Sequence, residues 1–194
     1  MWLRLALVAT LATPVLHTVV LLNSRLDAVR DPISALSSQP WGTLHTLGLL
    51  LFGLAHLALT LALGGQDRGR LWPYGRALLA ISGVALFAVA YYFASATADV
   101  LAGPDANDPL WIVASLIGLA MGALQPGLAR RSRELGLFTV ACLGIWLWLV
   151  LLAYFVTPGW LGLYERMVGA VYVAWIAGVA AGLIILRRSE AQQA

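Results

Sequence analysis

Not one lysine occurs in these 194 residues, and there is a single cysteine. Charge is scarce as well, at 11% of residues where a soluble domain carries about 25%. Each shortage excludes something. One cysteine rules out an intrachain disulfide. Cys142 also lies inside an apolar stretch, where a thiolate is disfavoured, so it reads as a small packing residue. With 61% hydrophobic residues and a mean hydropathy of +0.85, a water-soluble domain of this size has no way to hide its apolar surface. The bilayer is the solvent, and residues 1–194 read as one transmembrane domain with no room for a separate soluble one. Only three histidines are present, without an HExxH or HxxxH pair, and no GxSxG elbow is found. No cofactor motif is visible. The two halves show no convincing similarity, which speaks against an inverted-repeat transporter.

What is abundant is apolar sequence in long runs. A spanning helix needs about 20 mostly apolar residues. Windows at roughly 2–22, 43–64, 75–97, 110–128, 136–157 and 167–186 meet that need. The expected fold is therefore an all-α integral membrane protein, a bundle of six transmembrane helices with antiparallel neighbours. The opening Met-Trp-Leu-Arg followed by an apolar run resembles a signal peptide. No small-x-small cleavage site follows and the run continues to Leu22, so an uncleaved first helix is expected. Trp2, Trp72 and Tyr74 mark one interface, and Trp41, Trp111, Trp160 and Tyr164 the other, as an aromatic belt requires.

All 12 basic residues are arginine, and they divide unevenly. Nine fall on one side of the six spans: Arg4, Arg68, Arg70, Arg76, Arg130, Arg131, Arg133, Arg187 and Arg188. Arg25, Arg30 and Arg166 fall on the other. Basic residues in short loops stay in the cytoplasm, so both termini are expected there. The setting is then a bacterial or archaeal cytoplasmic (inner) membrane. The net charge of +3 does not suggest nucleic acid, because the arginines flank apolar spans rather than form a groove. Their expected partners are anionic lipid headgroups.

The opposite side carries Asp27, Asp31, Asp99, Asp105, Asp108 and Glu165, six of the nine acids. Its first loop, NSRLDAVRDPISALSSQPWG, has a mildly apolar centre at Ile33–Leu36 that would lie on the membrane or dip between helices. Asp31 can cap a turn before Pro32. Ser37 and Ser38 can cap a helix that starts near Pro40. Ionisable residues inside a membrane are costly and mark function. His17 and His45 fall at depths differing by roughly 4 Å at 1.5 Å per residue, so they can meet if their helices are neighbours. His56 shares a face with His45 but sits about 16 Å along the axis, too far to share a metal ion. No catalytic or metal-ligating residue is assigned. Glu165-Arg166 starts the last helix, where Arg166 can pair with Asp31 or Asp99 or grip a phosphate. Small residues recur every four positions at Ala114, Gly118 and Gly122, and again at Ala174, Gly178 and Gly182. These stripes suit helix packing, or a homodimer through Gly118/Gly122 or Gly178/Gly182.

The loop DAVRDPISALSS followed by WGTLHTLGLLLFGLAHLALTLAL, with Gly48 and Gly53, resembles the bacterial and archaeal family labelled domain of unknown function 998. The ending GLYERMVGAVYVAWIAGVAAGLIIL resembles that family's last helix. The resemblance covers nearly the whole chain and implies a likeness in outline to the six-helix Frag1/DRAM/Sfk1 group, some of it linked to lipid handling. Family members often carry a histidine at the start of the fourth helix. Here NDPLWIVASLIG has none, which puts any activity that depends on it in doubt. The family label implies no reaction.

The leading expectation is a lipid-binding or membrane-organising protein with an outer-leaflet polar pocket formed by His17, Asp31, Ser34, His45, Asp99, Glu165 and Arg166. An intramembrane lipid-modifying enzyme of hydrolase type is the alternative, and a small transporter a third. Three geometries separate them. An enzyme with a metal-type site needs His17, His45 and an acid within about 5 Å. A lipid binder needs a groove opening sideways with Arg166 at its polar end. A transporter needs a polar cavity that reaches His56.

Overall fold

The computed structural model describes residues 1–65, 69–96 and 108–193. Among the described residues six α-helices form: α1 Trp2–Leu22, α2 Gly42–Ala62, α3 Trp72–Ser95, α4 Asp108–Arg131, α5 Arg133–Leu152 and α6 Leu161–Gln193. Each gives a span long and apolar enough to cross a membrane. Each packs against the next in sequence, and α6 returns to α1, so the bundle is a closed ring. Both termini lie at one end, here the terminal end. The opposite, distal end is filled by the 3-10 turn Ile33–Ser38, which touches α1, α2, α3 and α6. Of the two positions open to its apolar centre, Ile33–Leu36 dips between the helices. Ser34 and Leu36 are fully buried there.

The helix ends differ from the hydropathy windows for local reasons. α2 starts at Gly42 with Trp41 before it and no side-chain cap. The two serines expected to cap it do not. Ser38 donates its hydroxyl to the Ala35 carbonyl, and the Ser37 hydroxyl oxygen is buried without a hydrogen-bond partner. Glycine is needed at 42 because a Cβ there would collide with the Ser37 carbonyl. Between α4 and α5 a seven-residue connection was expected, yet Ser132 is the one non-helical residue. Its backbone is extended, and its hydroxyl oxygen accepts the Leu135 N–H, a side-chain cap at α5. Gly136 lets α4 pass close, since a Cβ there would lie 2.7 Å from the Ala129 Cα. α6 is 33 residues long, extending past both ends of the window 167–186, so Glu165 and Arg166 sit inside the helix.

Glycine grooves set the packing. α2 and α3 cross at Gly53 and Gly83, where a Cβ on Gly53 would stand 2.8 Å from the Gly83 carbonyl oxygen. The two small-residue stripes do not face one another. Gly118 receives the Trp146 ring, Gly178 the Phe138 ring and Gly182 the Leu135 side chain. Both stripes thus accept side chains of α5, which sits between α4 and α6. A buried hydrogen bond from Trp175 Nε1 to Thr139 Oγ1, 3.2 Å, joins α6 to α5.

At the terminal end the last carbonyls of α2 have no intrahelical donors. Arg76 donates to Thr60, Trp72 to Leu63 and Arg187 to Ala62. Two of the three donors are cations at a helix C-terminus, where the dipole favours them. Arg131 pairs with Glu190, which ties the end of α6 to the end of α4.

Gly53→Val should force the α2–α3 crossing apart and cost roughly 1–3 kcal/mol, as overpacking does. Gly144→Ala, where an added Cβ meets nothing within 4 Å, should leave stability equal or raise it. Thermal unfolding of both variants in detergent checks the contrast.

Candidate functional site

The distal half of the ring encloses a chamber of about 410 Å³. Its walls come from every helix except α5, together with Ile33 and Leu36 of the capping turn. Most of the surface is apolar: Leu49, Phe52, Leu86, Trp111, Val113 and Ile117 stand on α2, α3 and α4. His17, Glu165 and Arg166 supply its charged and imidazole groups. Pro14 and Thr18 on α1 and Ala170 on α6 also line it and are exposed on the outside of the bundle. The chamber therefore opens sideways between α1 and α6, toward lipid.

The polar end is built by two neighbouring residues of α6 gripping the loop. Glu165 Oε2 accepts the Ile33 N–H at 2.7 Å. Arg166 Nη1 donates to the Asp31 carbonyl at 2.9 Å and to the Gly162 carbonyl at 2.8 Å. Leu163 N donates to the Val29 carbonyl beside them. Gly162 makes the approach possible, because a Cβ there would strike the Asp31 carbonyl oxygen. Each of the two side chains keeps one polar atom free. Glu165 Oε1 and Arg166 Nη2 are buried with no hydrogen-bond partner. Orphaned buried groups of this kind are costly in a folded chain, by about 1–3 kcal/mol each.

The histidines add to that set. The His17 and His45 rings stand 4.5 Å apart between centroids, and His45 stacks on Phe93 at 5.9 Å. His45 is fully buried, and both its ring nitrogens lack partners, as does His17 Nε2. His17 fits only because residue 48 is glycine, where a Cβ would lie 2.7 Å from His17 Nε2. The pair meets the spacing expected of neighbouring helices. Among the described residues, however, no three His, Cys, Asp or Glu side chains converge as a metal would need.

The other expected residues have different parts. Asp31 serves the site through its backbone carbonyl. Its carboxylate accepts the Asp27 N–H at 2.6 Å and closes the loop, so it is not paired with Arg166. Asp27 in turn accepts from the N–H groups of Val29 and Arg30, which hold its carboxyl below the ordinary value. Ser34 is buried within the capping turn. Asp99 lies outside the described residues. His56 is fully buried, bonds to the Phe52 carbonyl through Nδ1 at 2.7 Å and does not line the chamber.

The profile of a family described as "Protein of unknown function (DUF998)" matches residues 5–182. The chain belongs to the DUF998 family. No curated protein and no solved structure matches it. The match takes in the capping loop, the chamber walls and the Glu165-Arg166 pair. This DUF998 chain is a multi-pass membrane protein.

Sequence reading missed the apolar walls and the mouth. Thr13 and Pro14 carried the available signal. A proline inside a spanning helix leaves the carbonyl four residues earlier without its N–H. Thr13 Oγ1 meanwhile stands 3.1 Å from the Gly48 carbonyl, joining α1 to α2 beneath His17.

Glu165→Leu removes the acceptor for the Ile33 N–H. Amide exchange at Ile33 should speed up by about tenfold or more, the size expected when a buried N–H loses its acceptor. Glu165→Gln should largely preserve protection. Hydrogen–deuterium exchange of the peptide spanning 23–41 distinguishes the two.

Proposed function

We propose that this DUF998 protein binds a membrane lipid, taking an apolar tail into the chamber and holding the polar end at His17, Glu165 and Arg166. The observation that carries this reading is the pairing of an apolar chamber with buried polar atoms that have no protein partner. Its volume of about 410 Å³ lies within the roughly 300–1,000 Å³ of ligand pockets. The mouth between α1 and α6 faces the hydrocarbon, so a lipid can reach it by moving within one leaflet. The excess of arginine at the terminal end supports placing that end in the cytoplasm. The chamber then serves the outer leaflet of a bacterial or archaeal inner membrane. On this reading the terminal arginines meet anionic headgroups.

A second reading has one observation in its favour. His45, with neither ring nitrogen partnered, and His17, with Nε2 unpartnered, lie beside a chamber that also carries a carboxyl group, an inventory suited to proton transfer on a bound lipid. An enzyme predicts new lipid products when the purified protein meets a bacterial lipid extract. A binding protein predicts the same lipids recovered unchanged.

The binding reading is tested with Gly169→Phe. Gly169 lines the chamber, and a Cβ there meets nothing within 4 Å, so the ring fills open space. The variant should fold and lose most co-purifying lipid by native mass spectrometry. Equal lipid retention in both proteins counts against the chamber as the site. Sidedness is checked in a Cys142→Ala background. A membrane-impermeant maleimide should label Ala28→Cys from outside intact cells and leave Gln192→Cys unlabelled.

A further inference from the structure

We propose that the turn Ile33–Ser38 is a flap, hinged on α2 and latched on α6, that lifts off the distal end while the helix bundle stays folded. This goes beyond the lipid-binding reading and does not depend on it. The turn holds itself together. The Ala35 N–H donates to the Pro32 carbonyl, the Ser38 hydroxyl to the Ala35 carbonyl and the Gln39 N–H to the Leu36 carbonyl. Pro32 and Gln39 border it in extended conformation. Its two sides are attached differently. Toward α2 the Gly42 N–H donates to the Gln39 carbonyl at 2.8 Å, and the Ser37 carbonyl packs directly on Gly42. Both contacts are local in the chain, so they survive a tilt of the turn. Toward α6 the contacts are long-range. Glu165 accepts the Ile33 N–H, Arg166 donates to the Asp31 carbonyl, and the Leu163 N–H donates to the Val29 carbonyl. They bridge the same short stretches of chain, so they are made and broken together.

The closed position leaves polar atoms unmet. Ser37 Oγ on the turn, and Glu165 Oε1 and Arg166 Nη2 on the latch, are buried without a hydrogen-bond partner. Such atoms favour an arrangement that returns them to water. Against this, the turn fully buries one apolar side chain, Leu36. Arg30, Ser38 and Pro40 are exposed on the outer side of the loop, so the turn has room to lift. Ile33 and Leu36 line the chamber together with Glu165 and Arg166. Opening therefore adds a distal exit to the sideways mouth between α1 and α6.

The test is thiol labelling of the purified full chain in detergent, in the Cys142→Ala background, with a membrane-impermeant maleimide. Ser34→Cys reports the turn, where Ser34 is fully buried. Ala28→Cys is the exposed control, and Ser82→Cys, fully buried on α3, reports unfolding of the bundle. Ser34→Cys should label at least about tenfold slower than Ala28→Cys and at least about tenfold faster than Ser82→Cys, as local opening requires. Glu165→Leu should speed Ser34→Cys about tenfold, the scale of a buried N–H losing its acceptor, and leave Ser82→Cys unchanged. Gly162→Ala, whose Cβ meets the Asp31 carbonyl, should pry the same latch without removing a charge. Labelling of Ser34→Cys no faster than Ser82→Cys, or as fast as Ala28→Cys, overturns the flap. So does acceleration by neither latch variant, or acceleration that Ser82→Cys shares in both.

Discussion

Between Leu22 and Gly42 the chain reverses direction partly inside apolar surroundings, and its backbone N–H and C=O groups need partners there that water does not supply. Much of the distal end depends on that demand. The Ile33 N–H and the Asp31 carbonyl are met by side chains rather than by a helix or a sheet. Glu165 and Arg166 are suited to this as a pair, because one accepts and the other donates. Held in successive positions of α6, they fix the loop against the helix that closes the ring. The capping turn is then seated over the chamber instead of lying flat on the membrane.

The same demand explains why charge is tolerated at this depth. A carboxylate and a guanidinium would be expensive in hydrocarbon if alone. Each is partly satisfied by backbone of the loop, and both residues line the chamber. The loop gains rigidity and the chamber gains a polar end from the same two residues. Pro14 and Thr18 on α1, with Ala170 on α6, leave the opposite boundary open.

Much of this arrangement was legible before the structure. Hydropathy located all six helices, because the signal of about 20 apolar residues is strong. The depth of His17 and His45 followed from helix rise, and their contact from α1 and α2 being neighbours. Arg166 and Glu165 stood out as charges that a membrane end does not need. The helix limits were harder to read, since they depend on single contacts. Ser132 ends one helix and caps the next through its own hydroxyl, and hydropathy carries no trace of that. The Ser37 and Ser38 caps looked plausible by residue type, yet Gly42 decided the start by admitting the Ser37 carbonyl. Asp31 was one of the alternatives for Arg166, beside Asp99 and a phosphate, and the contact it makes uses its backbone carbonyl, which residue type does not reveal. The chamber walls left no mark, because a leucine facing a cavity and one facing a neighbour look alike in sequence.

The single non-helical residue between α4 and α5 has a consequence for how the protein enters the membrane. With only Ser132 between them, and Ala129 packed against Gly136, the two spans have no slack to be oriented separately. Whichever way α4 crosses, α5 must cross the other way and beside it. A long loop would let one span stall or invert while the other inserted. Here an error in either is an error in both, so these two helices form one topological unit, inserted or rejected as a hairpin.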